Sequence, residues 1–296
     1  METHNHSHSH DHSGTANIRT AFFLNFTFTI IEIVGGLLTN SLAIISDALH
    51  DLGDSLALAL SWYLAKVSER KRTATFTYGY KRFSMLAALI NSIILIGGSL
   101  FILSEAIPRL FNPEYANAKG MLFLAFLGIA ANGLAVLRLH KGKTMNERIV
   151  ALHLLEDLLG WIAVLIVSII MMIREAYILD PILAVLVTLY IFWRVIKNLK
   201  ESMMIFLQGV PNKIKLEEFE QSIMDIDKVK GMHHTHIWSL DGANHILSCD
   251  VVVDREAGKD EIIKIKQKAK DTAKDFGIDH ATIEIEFEEE DCGNRF

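Results

Sequence analysis

Cysteine is nearly absent from this chain: Cys249 and Cys292 are the only two in 296 residues. So few thiols exclude a disulfide scaffold and a Cys-rich metal ribbon. A basic excess is also missing. Twenty-nine Lys and Arg against 35 Asp and Glu leave a net charge of −6 at pH 7, which argues against nucleic acid as a partner. A cleavable signal peptide is not visible, because the N-terminus is polar and His-rich where an apolar region would be needed. The first apolar segment is therefore expected to act as its own insertion signal.

Apolar residues are abundant. They make up 51% of the chain, and the mean hydropathy is +0.28. They concentrate in the first two thirds, as six segments at about 17–38, 42–66, 83–107, 117–139, 148–173 and 180–200. Each is near the length of roughly 20 residues that a helix needs to cross hydrocarbon. Thr39-Asn40-Ser41 is too short a connection for anything but a tight turn between antiparallel neighbours. Gly97, Gly98 and Ser99, and Gly128, Ala130, Ala131 and Gly133, suit close helix packing in lipid. Asn25, Glu32, Asn91 and Asn132 are expected to hydrogen-bond between helices.

Lysine and arginine are distributed unevenly. Lys66, Arg70, Lys71, Arg72, Lys81 and Arg82 fall between segments two and three, and Arg138, Lys141, Lys143 and Arg148 between four and five. The opposite connections hold none, then Arg109 and Lys119, then Arg174. Basic loops mark the cytoplasm, so both termini are expected inside.

After Lys200 the composition changes. Gly209-Val210-Pro211 reads as a linker. Residues 216–226 have a helical period, 233–240 and 246–254 are β-rich, and Asp241-Gly242-Ala243-Asn244 between them signals a hairpin. Residues 260–276 read as helix and 281–287 alternate as a strand. The expected fold is a membrane all-α six-helix bundle followed by a small cytoplasmic α+β domain of order α-β-β-α-β. The expected divisions are a disordered tail at 1–15, a transmembrane domain at 16–208 and a regulatory and dimerisation domain at 209–296. A domain of roughly 85 residues holds only a modest core, which favours dimer pairing or metal support.

Two membrane segments carry the same pattern, His50 with Asp54 and His153 with Asp157. Residues i and i+4 share one helix face, so two facing helices would offer two imidazoles and two carboxylates to one point. That is the ligand count and donor type of a closed tetrahedral zinc site. Ionisable groups at bilayer depth are costly and mark function. With a dication bound, two carboxylates and two neutral imidazoles sum to zero charge. Without it, protons compete for the same ligands. Such a site, opened alternately to each side, exchanges metal for protons. Asp47 lies one turn before His50 and is either a helix-start residue, a support for the ligands or part of a proton path. Asp51 is rotated roughly 100° from His50 and is a poorer ligand. His4, His6, His8, His10 and His12 form a metal-collecting tail.

Asn40–His50, the second His-x-x-x-Asp, and His233-His234-Thr235-His236-Ile237-Trp238-Ser239-Leu240 together resemble the cation diffusion facilitator family, most closely its zinc-transporting branch. The likeness covers nearly the whole chain. It implies a homodimer of six-helix protomers, integral to the bacterial cytoplasmic membrane, that exports Zn²⁺ in exchange for protons. His50, Asp54, His153 and Asp157 match the family's intramembrane ligands. His233, Asp250 and Glu286 fall near its cytoplasmic metal positions, with His236 close by and Cys292 a weaker candidate. Zn²⁺ is thus implied as substrate and as a regulatory ligand, with no organic cofactor. Tyr80 stands where some members place a loop His, and Lys141-Gly142-Lys143-Thr144 replaces a His-rich loop. An antiporter of wider metal range (cadmium, cobalt, nickel, iron or manganese) is the alternative in the same class. A membrane sensor without transport leaves the mid-membrane ligands unexplained. An intramembrane metalloenzyme would need an open coordination position and a His-Glu-x-x-His helix, and neither is visible. The chain therefore does not read as an enzyme.

Overall fold

The computed structural model describes residues 12–139 and 145–288, leaving aside the side chains at 12–25, 61, 65, 135, 138–139 and 145–151. The tail histidines 4, 6, 8 and 10, the 141–144 connection and Cys292 lie outside the described residues, and His12 opens the first helix. Six long helices come first: α1 (His12–Thr39), α2 (Leu42–Ser68), α3 (Phe83–Phe111), α4 (Ala118–Leu139), α5 (Met145–Arg174) and α6 (Leu179–Phe206). Then follow α7 (Leu216–Met224), β1 (Val229–Ser239), β2 (His245–Val253), α8 (Lys259–Asp275) and β3 (His280–Phe287). The chain divides into two compact units. One holds residues 1–63 and 90–198, the other 64–89 and 199–296.

In the helical unit, large apolar side chains face outward. Phe101, Phe123, Leu134 and Trp193 are all more than half exposed, an arrangement suited to lipid rather than water. Among the described residues, α3, α6 and the Leu152–Arg174 part of α5 are long and apolar enough to cross a membrane, with shorter apolar stretches at Phe26–Thr39 and Ala118–Leu134. Helix α2 is long enough too, but Asp47, Asp51 and Asp54 dilute its apolarity.

The α1–α2 turn closes because Asn40 adopts a left-handed backbone (φ 52°), a conformation asparagine tolerates better than most residues. What holds the start of α2 is the Asp180 carboxylate at the start of α6. It accepts hydrogen bonds from the Ser41 hydroxyl (2.5 Å), the Leu42 amide (2.8 Å) and the Ala43 amide (3.3 Å). A carboxylate there satisfies orphan helix donors and complements the helix dipole. One turn on, the Ser46 and Thr188 hydroxyls join at 2.8 Å, tying α2 to α6 again.

The small residues differ in what they do. A Cβ on Gly128 would lie 2.2 Å from the Trp161 indole, so this glycine admits the fully buried Trp161 of α5 against α4. By contrast, a Cβ on Gly97 would meet nothing within 4 Å among the described residues. The expected interhelical bond of Asn132 is also corrected: its amide donates to the Gly128 carbonyl of its own helix, at 3.2 Å. Glu32 is buried beside another acid, Asp51.

In the second unit, β2 is central. It pairs antiparallel with β1 and parallel with β3, and the parallel pair is joined by the α8 crossover. Leu247, Cys249, Val251 and Val253 of β2 are buried against Phe219 and Ile223 of α7 and against Ile265, Ala269 and Ala273 of α8. The i, i+4 spacing of those α8 residues gives it one apolar face. Burial pushes the Cys249 thiol up to about 12, assisted by the Asp250 charge. The hairpin turn forms where expected. Gly242 takes φ 88°, and Asp241 Oδ1 accepts from the Ala243 (3.0 Å) and Asn244 (2.8 Å) amides. Strand β1 starts four residues earlier than its β-rich run, at Val229, after a turn at Lys228. Within the same unit the 69–82 connection meets the hairpin through the Lys81 ammonium, which donates to Asn244.

Candidate metal centre

Helices α2 and α5 bring the two His-x-x-x-Asp pairs together. Asp54 Oδ2 is the hub, 2.9 Å from His153 Nε2 and 3.7 Å from His50 Nε2. Asp157 Oδ2 lies 3.8 Å from His153 Nε2. The imidazoles meet edge to face, with centroids 5.9 Å apart. One ligand atom each from His50, Asp54 and His153 falls within 4.8 Å of the others. Tetrahedral zinc with bonds of about 2.0 Å needs ligand atoms about 3.3 Å apart, so small side-chain rotations would seat an ion among them. Asp157 stands at the edge of this trio and is the most buried of the four side chains, at 9% exposed.

Asp47 also faces α5, where its carboxylate lies 3.7 Å from the Cβ position of Gly160. With His50 and Asp157 it lines an open cavity of about 300 Å³ between α2, α5 and α6. Asp51 is buried on another face of α2 and is not in the ligand group.

The same cavity holds residues that the sequence reading did not single out. Arg194 of α6 forms an ion pair with Glu156 of α5. Tyr190 donates to the other oxygen of Glu156 at 3.3 Å, and its ring lies 5.7 Å from the guanidinium carbon. An Arg inside an apolar segment, one turn before Lys197, was the available signal.

In the sheet domain, His233 Nδ1 is 3.7 Å and His234 Nδ1 2.8 Å from Asp250 Oδ2, and His233 Nε2 is 3.1 Å from Glu286 Oε2. Thus His233, Asp250 and Glu286, one from each strand, converge. His236 does not join them: it is exposed opposite Ser248. His234 takes its place in the cluster. In a regular strand, neighbours point to opposite faces, so His234 would oppose His233. Instead the register slips between His233 and His236, and His234 adopts φ 49°. The irregularity brings both imidazoles to one face.

The cation efflux transmembrane domain matches residues 18–207, and the cytoplasmic domain of cation efflux proteins matches residues 211–288. Among curated proteins, the chain is 34% identical to the zinc transporter ZitB of Pectobacterium atrosepticum, over 90% of this chain and 84% of that protein. It is 36% identical to the metal cation efflux system protein CzcD of Cupriavidus metallidurans, over 95% and 90%. It is 33% identical to a cadmium, cobalt and zinc/H(+)-K(+) antiporter of Bacillus subtilis, over 90% and 88%.

Proposed function

This chain belongs to the cation efflux family, a family of transporters rather than enzymes, and from that premise we propose that it exports Zn²⁺ from the cytoplasm in exchange for protons. The observation that carries the reading is the convergence of His50, Asp54 and His153, with Asp157 beside them, from two helices at bilayer depth. His50, Asp54, His153 and Asp157 are the four ligands of the transported ion. Two imidazoles and two carboxylates fit zinc in number, softness and geometry.

Charge balance drives the exchange. The dication cancels both carboxylates. When it leaves, Asp54 and Asp157 would be bare in a low-dielectric medium, a costly state. Protons arriving on the imidazoles restore neutrality, and Asp54, already 2.9 Å from His153, is the natural partner of an imidazolium. Asp47 stands on the cavity wall beside the ligands and serves the proton path. Zinc is favoured over manganese and iron by the imidazoles. The names of the relatives support cadmium and cobalt as further cargo.

The six long helices are read as six spans, with both termini in the cytoplasm of a bacterial inner membrane, on the strength of the Lys and Arg asymmetry. The match to a cytoplasmic efflux domain supports a homodimer. There His233, His234 and Asp250 would hold a regulatory zinc, with Glu286 bracing the other nitrogen of His233, and its binding would draw the strands, and through them the paired domains, into one arrangement. His233, His234 and Asp250 each offer a ligand atom within 4.8 Å of the others, and Glu286 lies 3.1 Å from the Nε2 of His233.

The test is zinc uptake into inside-out proteoliposomes under an imposed pH gradient. Gradient-dependent uptake is expected in the native protein and lost in His153→Ala and Asp54→Ala. Uptake surviving both changes would refute the site.

A further inference from the structure

The pair Glu156–Arg194 is out of place in hydrocarbon. Arg194 lies about 22 Å along α6 from its first residue at 1.5 Å per residue, inside the apolar segment and one turn before Lys197. Its side chain is 39% exposed and that of Glu156 is 41% exposed. Charged groups so placed are stable only beside a protein partner or in water. They have each other and Tyr190, and both line the cavity that reaches His50 and Asp157. An open cavity lined by an ion pair suits water, and it places the pair beside the ligands.

Resting on the antiport reading above, we propose that Glu156 is a capture residue for the incoming metal ion and that Arg194 is the tethered cation that occupies it between transport events. Glu156 lines the same cavity as Asp157 and His50, so a dication taken up at its carboxylate is already beside the ligand shell. A free carboxylate at this point would hold the ion and slow its passage inward. The Arg194 guanidinium matches the carboxylate fork and competes with the ion for it, which keeps capture transient. Tyr190 keeps the two charges in register, by its hydroxyl on Glu156 and its ring beside the guanidinium. The pair as a whole is neutral, so it neither repels nor traps a cation until it opens.

This arrangement gives opposite consequences for its two halves. Glu156→Gln leaves an unpaired positive charge beside the ligands, and the KM for zinc should rise on the order of tenfold. Arg194→Gln leaves an unpaired carboxylate, and KM should fall several-fold together with the maximal rate. Glu156→Asp, which keeps the charge, should stay within about twofold of the native protein. These values are read from zinc uptake by proteoliposomes containing the full chain, with His153→Ala as control. A merely structural tie between α5 and α6 would shift KM in the same direction in both Gln variants. That result, or shifts below twofold in both, would overturn the proposal. If His153→Ala itself transported normally, the antiport reading would fall instead. Comparable solubility and elution of each variant establish that folding is not the cause.

Discussion

Asp180 offers the sharpest test of how the ligand helix is held. Its carboxylate receives three donors from the first residues of α2, the Ser41 hydroxyl and the Leu42 and Ala43 amides, and all of these groups are buried. Asp180→Ala would remove the acceptor and leave two amides and a hydroxyl without partners in the interior. A hydrogen bond to a charged group contributes about 1.5–3 kcal/mol, and a buried donor left unmade costs about 1–3 kcal/mol. Allowing for partial rescue by water at the helix end, the loss should be about 3–5 kcal/mol. For a unit of this size that corresponds to a fall in Tm of roughly 10 °C. Thermal unfolding of the purified protein in detergent measures it. Asp180→Asn keeps one acceptor oxygen and should lie between the two. Because the residues that Asp180 holds, Ser41 to Ala43, lie about two turns before His50, zinc affinity should fall less than stability does. An alanine variant that melts within about 2 °C of the native protein would show that α2 is anchored by something other than this cap.

Further expectations can be checked alongside. Gly128→Val should displace Trp161, since even a Cβ would lie 2.2 Å from the indole, and the change should lower Tm and shift tryptophan emission to the red. In the sheet domain, His234→Ala should weaken zinc binding about 10–100-fold, whereas His236→Ala should leave it unchanged, as read by zinc titration of the full chain in a Asp54→Ala background. The Cys249 thiol, pushed up to about 12 by burial, stays neutral in the folded protein. In a Cys292→Ser background it should resist maleimide at pH 7.5 until the chain unfolds. Its folded-state value lies above the unfolded one, so its effect on stability is neutral below about pH 9 and adverse as pH rises from about 9 to 12.

The elements that sequence made legible are those governed by period. The long apolar segments, the α8 stripe of Ile265, Ala269 and Ala273 and the hairpin at Asp241–Asn244 follow from repeats and turn chemistry that act locally. The four membrane residues were legible because a helix makes i, i+4 spacing a spatial fact. Contacts set by distant pieces of chain were not. Asp180 caps a helix 138 residues away, and Arg194 finds Glu156 across two helices; in sequence each is only an acid at a helix start or a stray cation. His236 and His234 exchanged roles for a different reason. Alternation assigns faces correctly only in a regular stretch of strand, and β1 is irregular between His233 and His236.

That irregularity means the cluster is written in backbone register as much as in residue identity. Deleting Thr235 would keep both histidines, Asp250 and Glu286, yet it would relieve the two-against-one mismatch and send His233 and His234 to opposite faces. A chain could thus lose this cluster with every donor still present, or acquire it from a His-His pair by the insertion of a single codon.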